Sequence, residues 1–424
     1  MRQPPPAFLF ATGIENSNPT IDHGRHRVDE LESTHFYKLW RTDFELCEEM
    51  GIPFLRYGPP IHRTWMGPGK YDWSFADETM TDLAVRDICP IVDLCHFGLP
   101  DWLGNFQNPE WPALFGDYAD AFAERYPWVQ LYTPVNEIIV CSLFSARYGW
   151  WNEQGKTDRT FVTCLKNLCL ANLFAMQRIV KRRIDAIFIQ SEAAEHFHPA
   201  TPAAMPAADR RNQERFLSLD LSYGRPVDSE MYLYLMDNGM SRQEYETLMR
   251  NDLKRHCIMG TDYYLTNEHR VTADGMAMPS GEVLGYDAIM QQYYRRYGLP
   301  VMHTETNFYE GPVGDEAVNW LHRQWAKLMQ LHSIGIPVMG FTWYSLIDQV
   351  DWDCALRFPR GKVNPLGLYD IDRKIRPVGE AYKELIREWH ELLPARSTAL
   401  SVPVMMPSQH PDAPRGDKPP RRFY

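Results

Sequence analysis

The feature that most constrains this chain is an alternation of β-rich and helical runs, repeated eight times. Short β-rich runs stand at 7–13, 53–57, 90–95, 129–135, 186–191, 258–264, 300–305 and 338–345. Stretches with apolar residues at helical spacing stand between and after them, at 34–50, 75–87, 118–125, 160–183, 241–250, 285–297, 315–334 and 377–392. Gly51 is placed to end the first helix, and Ser74 is the expected cap of the second. A strand followed by a helix and another strand implies a parallel β-α-β unit. Eight such units close most economically as an α/β fold of the (β/α)8 TIM barrel type. Residues 1–393 are expected to form this one barrel. Residues 394–424, rich in Pro and Arg and without periodicity, are expected to be disordered.

Composition excludes several classes of function. With 44% hydrophobic residues among 424, the chain can bury a large core. Its net charge of −11 argues against a nucleic-acid partner, because neutralising phosphate needs a concentrated basic face. The basic run Lys181-Arg182-Arg183 closes a helical pattern, where the helix dipole favours cations. The N-terminus lacks the apolar stretch of a secretory signal, and no run is long enough to span a membrane. Eight cysteines without CxxC spacing read as buried thiols in a cytoplasmic, reducing setting, and not as a zinc centre. No metal and no cofactor are expected. The expected partner is a small-molecule glycoside, with self-association into a homo-oligomer left open.

In such a barrel the chemistry sits where strands end. The fourth predicted strand runs into Asn136-Glu137, and the seventh ends His303-Thr304-Glu305. A single Glu at a strand end is more often a surface ion pair than a catalyst. These two, however, lie on opposed strands and can approach each other over the central pocket. A carboxylate pair about 5 Å apart permits double displacement at a sugar, whereas inverting enzymes need a wider gap for water. His96, Arg56, Asp262, Tyr264, Trp343, Tyr344, Asp348, Asp351 and Trp352 also fall at or after strand ends. Polar groups suit sugar hydroxyls and aromatic faces suit sugar C–H surfaces, so this rim reads as a carbohydrate site. The long loops 56–74 and 192–240 fall on the same face.

These motifs resemble glycoside hydrolase family 1, within the clan-A barrel glycosidases, over about residues 8–388. Thr133-Pro-Val-Asn136-Glu137 is similar to the family's Thr-x-Asn-Glu-Pro acid/base motif, and Thr304-Glu305-Thr-Asn to its Thr-Glu-Asn-Gly nucleophile motif. Gly260-Thr-Asp-Tyr-Tyr264 resembles Gly-x-Asn-Tyr-Tyr. Ser345-Leu-Ile-Asp348-Gln-Val-Asp351-Trp352 resembles Ser-Leu-x-Asp-Asn-x-Glu-Trp, and Gly367-Leu-Tyr-Asp-Ile-Asp with Arg376-Pro377 resembles the closing segment.

The resemblance implies a retaining β-glycosidase, β-glucosidase-like, acting on a small neutral glycoside. It implies that Glu137 is the acid/base and Glu305 the nucleophile. Asn136 would then bind the sugar 2-hydroxyl and His96 a ring hydroxyl, while Arg56 and Tyr264 hold Glu305 ionised and oriented. Trp343, Tyr344, Asp351 and Trp352 are carried over as further substrate contacts.

The chain also departs from the pattern. Ile138 follows the acid/base where the family has Pro, and Thr306-Asn307 replace Asn-Gly. Asp351 stands for the Glu that grips outer sugar hydroxyls, and Tyr344 for the Trp before Ser345. The family's N-terminal sugar-binding Gln has no counterpart in place, with Glu15, Asn16 and Asn18 as substitutes. Family members with a 6-phospho-sugar preference hold phosphate with Ser, Lys and Tyr after strand eight. Here Asp348 and Asp351 carry negative charge, although Arg357, Arg360 and Lys362 follow. Two alternatives to hydrolysis remain, a non-catalytic carbohydrate-binding barrel and a transglycosidase using the same glycosyl-enzyme.

Overall fold

The structure, a computed structural model, describes residues 8–311, 314–389, 393 and 402–417. Eight parallel strands close into a barrel: β1 (Leu9–Gly13), β2 (Phe54–Tyr57), β3 (Cys89–Asp93), β4 (Leu131–Thr133), β5 (Ile187–Gln190), β6 (Cys257–Asp262), β7 (Val301–Glu305) and β8 (Val338–Trp343). Each pairs with its sequence neighbours, and β1 pairs with both β2 and β8, which closes the ring. The (β/α)8 expectation is met.

Why these strands form is legible in their alternation. Leu9, Ala11, Phe54, Ile91, Leu131, Ile187 and Ile189 belong to a cluster inside the barrel floor. Residues between them, such as Phe10, Leu55, Val92 and Phe188, pack outward among the surrounding helices. A parallel strand covered on both faces must be apolar on both, so its sequence is a continuous apolar run. Two residues further along the inward face the pattern changes. Phe54 leads to Arg56, Ile91 to Asp93, Leu131 to Thr133, Ile189 to Ser191 and Met302 to Thr304. The side-chain period of two therefore places an apolar floor below and a polar layer above, at the C-terminal mouth.

The helical layer departs from the predicted boundaries where local chemistry overrides periodicity. The second helix begins at Ser74, one residue early, and Ser74 does not cap it: its hydroxyl donates to Asp72 at 2.6 Å. The helix predicted at 118–125 is Trp111–Arg125, begun by Pro112, a residue preset for a first helical turn. Pro377–Trp389 matches its prediction up to 389, and 390–392 lie outside the described residues. A further helix, Ile138–Ala146, was not anticipated, because Ile138-Ile139-Val140 reads as β-prone. The side chain of Glu192, which follows β5, accepts the Ile139 N–H at 3.1 Å and so satisfies part of this helix's start.

The segment read as one long loop, 192–240, is structured. It carries the strand His196–Pro199, paired with Glu268–Val271, and helices Met205–Glu214, Leu217–Ser222 and Ser229–Asp237. Its counterpart after β2 holds a one-turn helix, Ile61–Thr64, and the antiparallel pair Trp65–Gly67 and Lys70–Tyr71. All eight cysteines are buried and unpaired. Among the described residues no helix is long and apolar enough to cross a membrane.

The expectation of a disordered tail fails for residues 402–417. Val402, Val404 and Met406 alternate along the chain and pack against the apolar barrel floor. Gln130, next to β4, donates to the Pro403 carbonyl at 2.9 Å and accepts the Met405 N–H at 2.8 Å. Ser408 bonds Asp87 through both its amide and its hydroxyl. Prolines and charges hid three alternating apolar residues with a surface to cover. At about 1 kcal/mol for each of the three partly buried side chains and about 0.5 kcal/mol for each of the four hydrogen bonds, truncation after residue 393 should cost about 5 kcal/mol. Calorimetry should then show Tm falling by several degrees, with turnover at 25 °C retained. An unchanged Tm would mean that this segment does not seal the floor.

Candidate active site

The polar layer converges on one cation. Arg56, buried at the end of β2, donates from Nη1 to Glu305 Oε1 on β7 and from Nη2 to Asp93 Oδ2 on β3 at 2.8 Å. Nη2 also donates to Asn136 Oδ1. Tyr264, two residues past β6, donates its hydroxyl to Glu305 Oε2 at 2.7 Å. Both oxygens of Glu305 are thereby fixed by donors on two different strands. A planar guanidinium is the side chain that can serve two carboxylates and an amide at once.

Asp93 anchors a second chain of contacts. Its Oδ2 meets His96 Nδ1 at 2.8 Å, and His96 Nε2 lies 3.0 Å from Asn136 Nδ2. Burial opposes ionisation of Asp93, but Arg56 and His96 outweigh it and hold its carboxyl below the usual range. Burial likewise disfavours a charged His96, and Asp93 more than compensates, so its proton affinity is raised. Asn136 is thus locked in one amide orientation between Arg56 and His96.

Glu137 sits at the threshold between β4 and helix Ile138–Ala146, with φ of 37° and ψ of 64°. That left-handed conformation is strained for a residue with a Cβ. It is maintained by the Glu137 N–H donating to the Ser191 carbonyl at 3.0 Å. One carboxylate oxygen from each of Glu137, Asp262 and Glu305 lies within 4.8 Å of the others. Burial, followed by the charges of Asp262, Glu305 and Glu192, pushes the Glu137 carboxyl well above the usual range. A carboxyl that keeps its proton beside one held by a guanidinium is the pairing that acid-assisted displacement requires.

Of the remaining expected contacts, Tyr344 and Glu15 join the site. The Tyr344 ring lies 5.6 Å from the Arg56 guanidinium carbon and stacks toward His96. A Cβ at residue 13 would overlap that ring, which explains Gly13. Glu15 accepts the Ser17 N–H at 2.9 Å and the Gln349 side-chain amide at 3.4 Å. Its burial raises its pKa, against the opposing charge of His96.

Trp343 does not join. Phe341 packs outward on Trp325 and Tyr382, and Trp343, two residues on, shares that side. Its indole N–H donates to the Leu366 carbonyl at 3.0 Å. Asp351, at φ of 55°, does not grip from the rim either. Its oxygens accept the backbone N–H groups of Arg360, Gly361 and Lys362 at 2.6–2.9 Å, pinning a turn. Trp352 packs near Phe97 and Trp151, and its buried Nε1 has no partner among the described residues.

Sequence reasoning gave Asp93 no role, mentioned Asp262 only as a rim residue, and missed Glu192. The inward alternation that identifies Arg56 also marks Asp93 and Asp262, each an even number of residues beyond an apolar floor position. Glu192 carries no such signal, because it lies past the end of β5.

Comparisons with known proteins agree with this fold. The family model described as Glycosyl hydrolase family 1 matches residues 20–266. An aryl-phospho-beta-D-glucosidase of Bacillus subtilis is 21% identical over 85% of this chain and 85% of its own length. A 6-phospho-beta-glucosidase of Escherichia coli is also 21% identical, over 78% of this chain and 82% of that protein. Among solved structures, a beta-glucosidase from Thermotoga maritima in complex with galacto-hydroximolactam has a TM-score of 0.76 at 16% identity, covering 91% of this chain and 99% of that one. The same organism's family 1 enzyme alone gives 0.72 at 17% identity, covering 84% and 87%.

Proposed function

The chain belongs to glycosyl hydrolase family 1 and is a glycoside hydrolase, and from that premise we propose that it cleaves a small neutral β-glycoside by double displacement. The observation that carries the proposal is the spacing of Glu137 and Glu305, whose nearest carboxylate oxygens are within 4.8 Å. Retaining enzymes hold their carboxyl groups about 5–5.5 Å apart, and inverting enzymes about 6.5–9.5 Å. Glu305, fixed by Arg56 and Tyr264, attacks the anomeric carbon. Glu137 passes its proton to the departing oxygen. It then takes a proton from the water that releases the sugar. Asn136 and His96 stand beside this path with groups that suit ring hydroxyls.

A neutral sugar is preferred over a 6-phosphorylated one because the cations near Asp351 are already matched. Arg360 and Lys362 pair with Asp353 at 2.6 and 2.7 Å, and Arg357 donates to the Cys354 carbonyl while lying over Trp150. A phosphate there would meet Asp351 and Asp353. The buried, unpaired thiols support a cytoplasmic setting.

The test is a panel of aryl β-glycosides, with and without a 6-phosphate, assayed on the wild type and Glu137→Ala. Neutral glycosides should be turned over faster than their 6-phosphates. Glu137→Ala should lose about 10²–10⁴-fold in kcat/KM on poor leaving groups and far less on dinitrophenyl glycosides, which depart without a proton. Preference for the 6-phosphates would overturn the substrate assignment. Equal losses on both leaving groups would overturn the acid/base assignment.

A further inference from the structure

We propose that Asp262 is a positioning residue for the catalytic proton: its fixed negative charge keeps that proton on Glu137. This deepens the acid/base reading above and rests on it. Three carboxylates crowd one buried space, a single oxygen from each lying within 4.8 Å of the other two. Like charges that close cannot all ionise in a site screened from water. Their other partners decide which group keeps a proton.

Glu305 is paired with the Arg56 guanidinium and accepts from Tyr264. Among the described residues Asp262 has no cation in direct contact but is held by hydroxyls. Ser191 Oγ lies 2.9 and 2.8 Å from its two oxygens, and Thr304 Oγ1 donates to Oδ1 at 2.6 Å. Ser191 and Thr304 are polar continuations of the inward faces of β5 and β7, so the barrel itself builds this acceptor seat. Among the described residues Glu137 has no comparable set of donors to its side chain. Hydrogen bonds donated to a carboxylate favour its ionised form. The shared proton therefore resides on Glu137, where the leaving oxygen needs it.

The groups facing Glu137 are Asp262 on β6, Glu305 on β7, Glu192 after β5 and Arg56 on β2, with Tyr264 beside them. Asp262 heads the charges that raise its proton affinity, after burial itself. Asp262 is raised as well, by burial and by Glu305, as expected of two groups sharing one proton. Glu192 is pushed up to about 7 by burial, is satisfied by the Ile139 and Ala193 amides, and meets its like charge in Glu195, so its own titration stays in place when Asp262 is changed. In the family's motif this position is Asn, which carries no charge. The chain thus replaces a neutral neighbour of the acid/base with an anion seated between both catalytic carboxylates.

The test is the pH dependence of kcat/KM for the wild type, Asp262→Asn and Glu137→Ala. Each is measured on a dinitrophenyl glycoside and on a poorly activated aryl glycoside. Asp262→Asn should move the alkaline limb for the poor leaving group toward acid by about one pH unit. That is about a tenfold loss one unit above the midpoint. The limb for the dinitrophenyl glycoside should stay in place. A uniform loss at every pH on both substrates, or an alkaline limb that does not move, would overturn the proposal and leave the Glu137–Glu305 reading standing. If Glu137→Ala leaves the poor leaving group unaffected, the acid/base reading fails and takes the proposal with it. A second measurement needs no folded Asp262 variant. Carbon-13 carboxyl spectra of the wild type, minus those of Glu137→Gln, give the titration of Glu137 directly. Titration above the usual glutamate range supports the proposal, and titration within or below it overturns it.

Discussion

Glu305→Ala should lose on the order of 10⁴-fold or more in kcat while folding as well as the wild type. The first half follows from the role of the carboxylate. Removing a nucleophile that acts with its partners costs nearly the whole chemical advantage of the site. The second half follows from counting charges. Arg56 serves both Asp93 and Glu305. Deleting Glu305 leaves the guanidinium with Asp93, and it relieves the crowding among Glu137, Asp262 and Glu305. The Tm should therefore match or exceed that of the wild type. Azide, entering the space of the lost carboxylate, should restore turnover and give a glycosyl azide of inverted configuration. A variant that keeps a tenth of wild-type activity without azide would exclude Glu305 as nucleophile.

Arg56→Ala should produce the opposite combination, a loss of stability together with a loss of activity. The same count explains it. Without the guanidinium, Asp93 and Glu305 stay buried, with Asp262 close by and no cation reaching Glu305. Removing one partner of a buried ion pair costs about 3–5 kcal/mol, because the charge left behind is neither hydrated nor paired. Here, among the described residues, Glu305 loses its ion-pair partner and Asp93 keeps only His96. Asn136 also loses the donor that fixes its amide and, through it, His96. Turnover should fall on the order of 10²–10³-fold, as for removal of a preorganised electrostatic group. Arg56→Lys should rescue little, since an ammonium cannot present two parallel donors to carboxylates on two strands. Urea unfolding followed by fluorescence, set beside kcat/KM, separates the two losses. A variant of full stability and low activity would mean that the fold does not depend on Arg56 to balance these buried carboxylates.

How far the chain could be read in advance varies with how local the signal is. The eight strands were legible because inward and outward faces of a buried parallel strand are both apolar, as in Ile187-Phe188-Ile189. Glu137, Glu305, Arg56, His96 and Tyr264 were legible because strand ends in a barrel point at one mouth. Asp262 was visible as rim chemistry and Asp93 was passed over, and the partners of both lie on other strands and are set by barrel closure, which no local pattern encodes. Trp343 was assigned to the site by its place at the end of the eighth strand and by the family resemblance, whereas the two-residue step from Phe341 turns it outward. Asp351 illustrates a different limit. Its placement beside Trp352 suggests a sugar contact, but its carboxylate caps the turn at 360–362, which no short motif describes. The tail failed for a compositional reason, since Val402, Val404 and Met406 are sparse among prolines and charges but meet a ready-made apolar floor.

The central claim is double displacement by Glu137 and Glu305, and the most direct measurement is the configuration of the first product. Proton NMR of an aryl β-glycoside digest, recorded before the anomers equilibrate, reads it without any variant. Two successive inversions should release the β-anomer first. Release of the α-anomer first would mean a single displacement by water and would contradict the account.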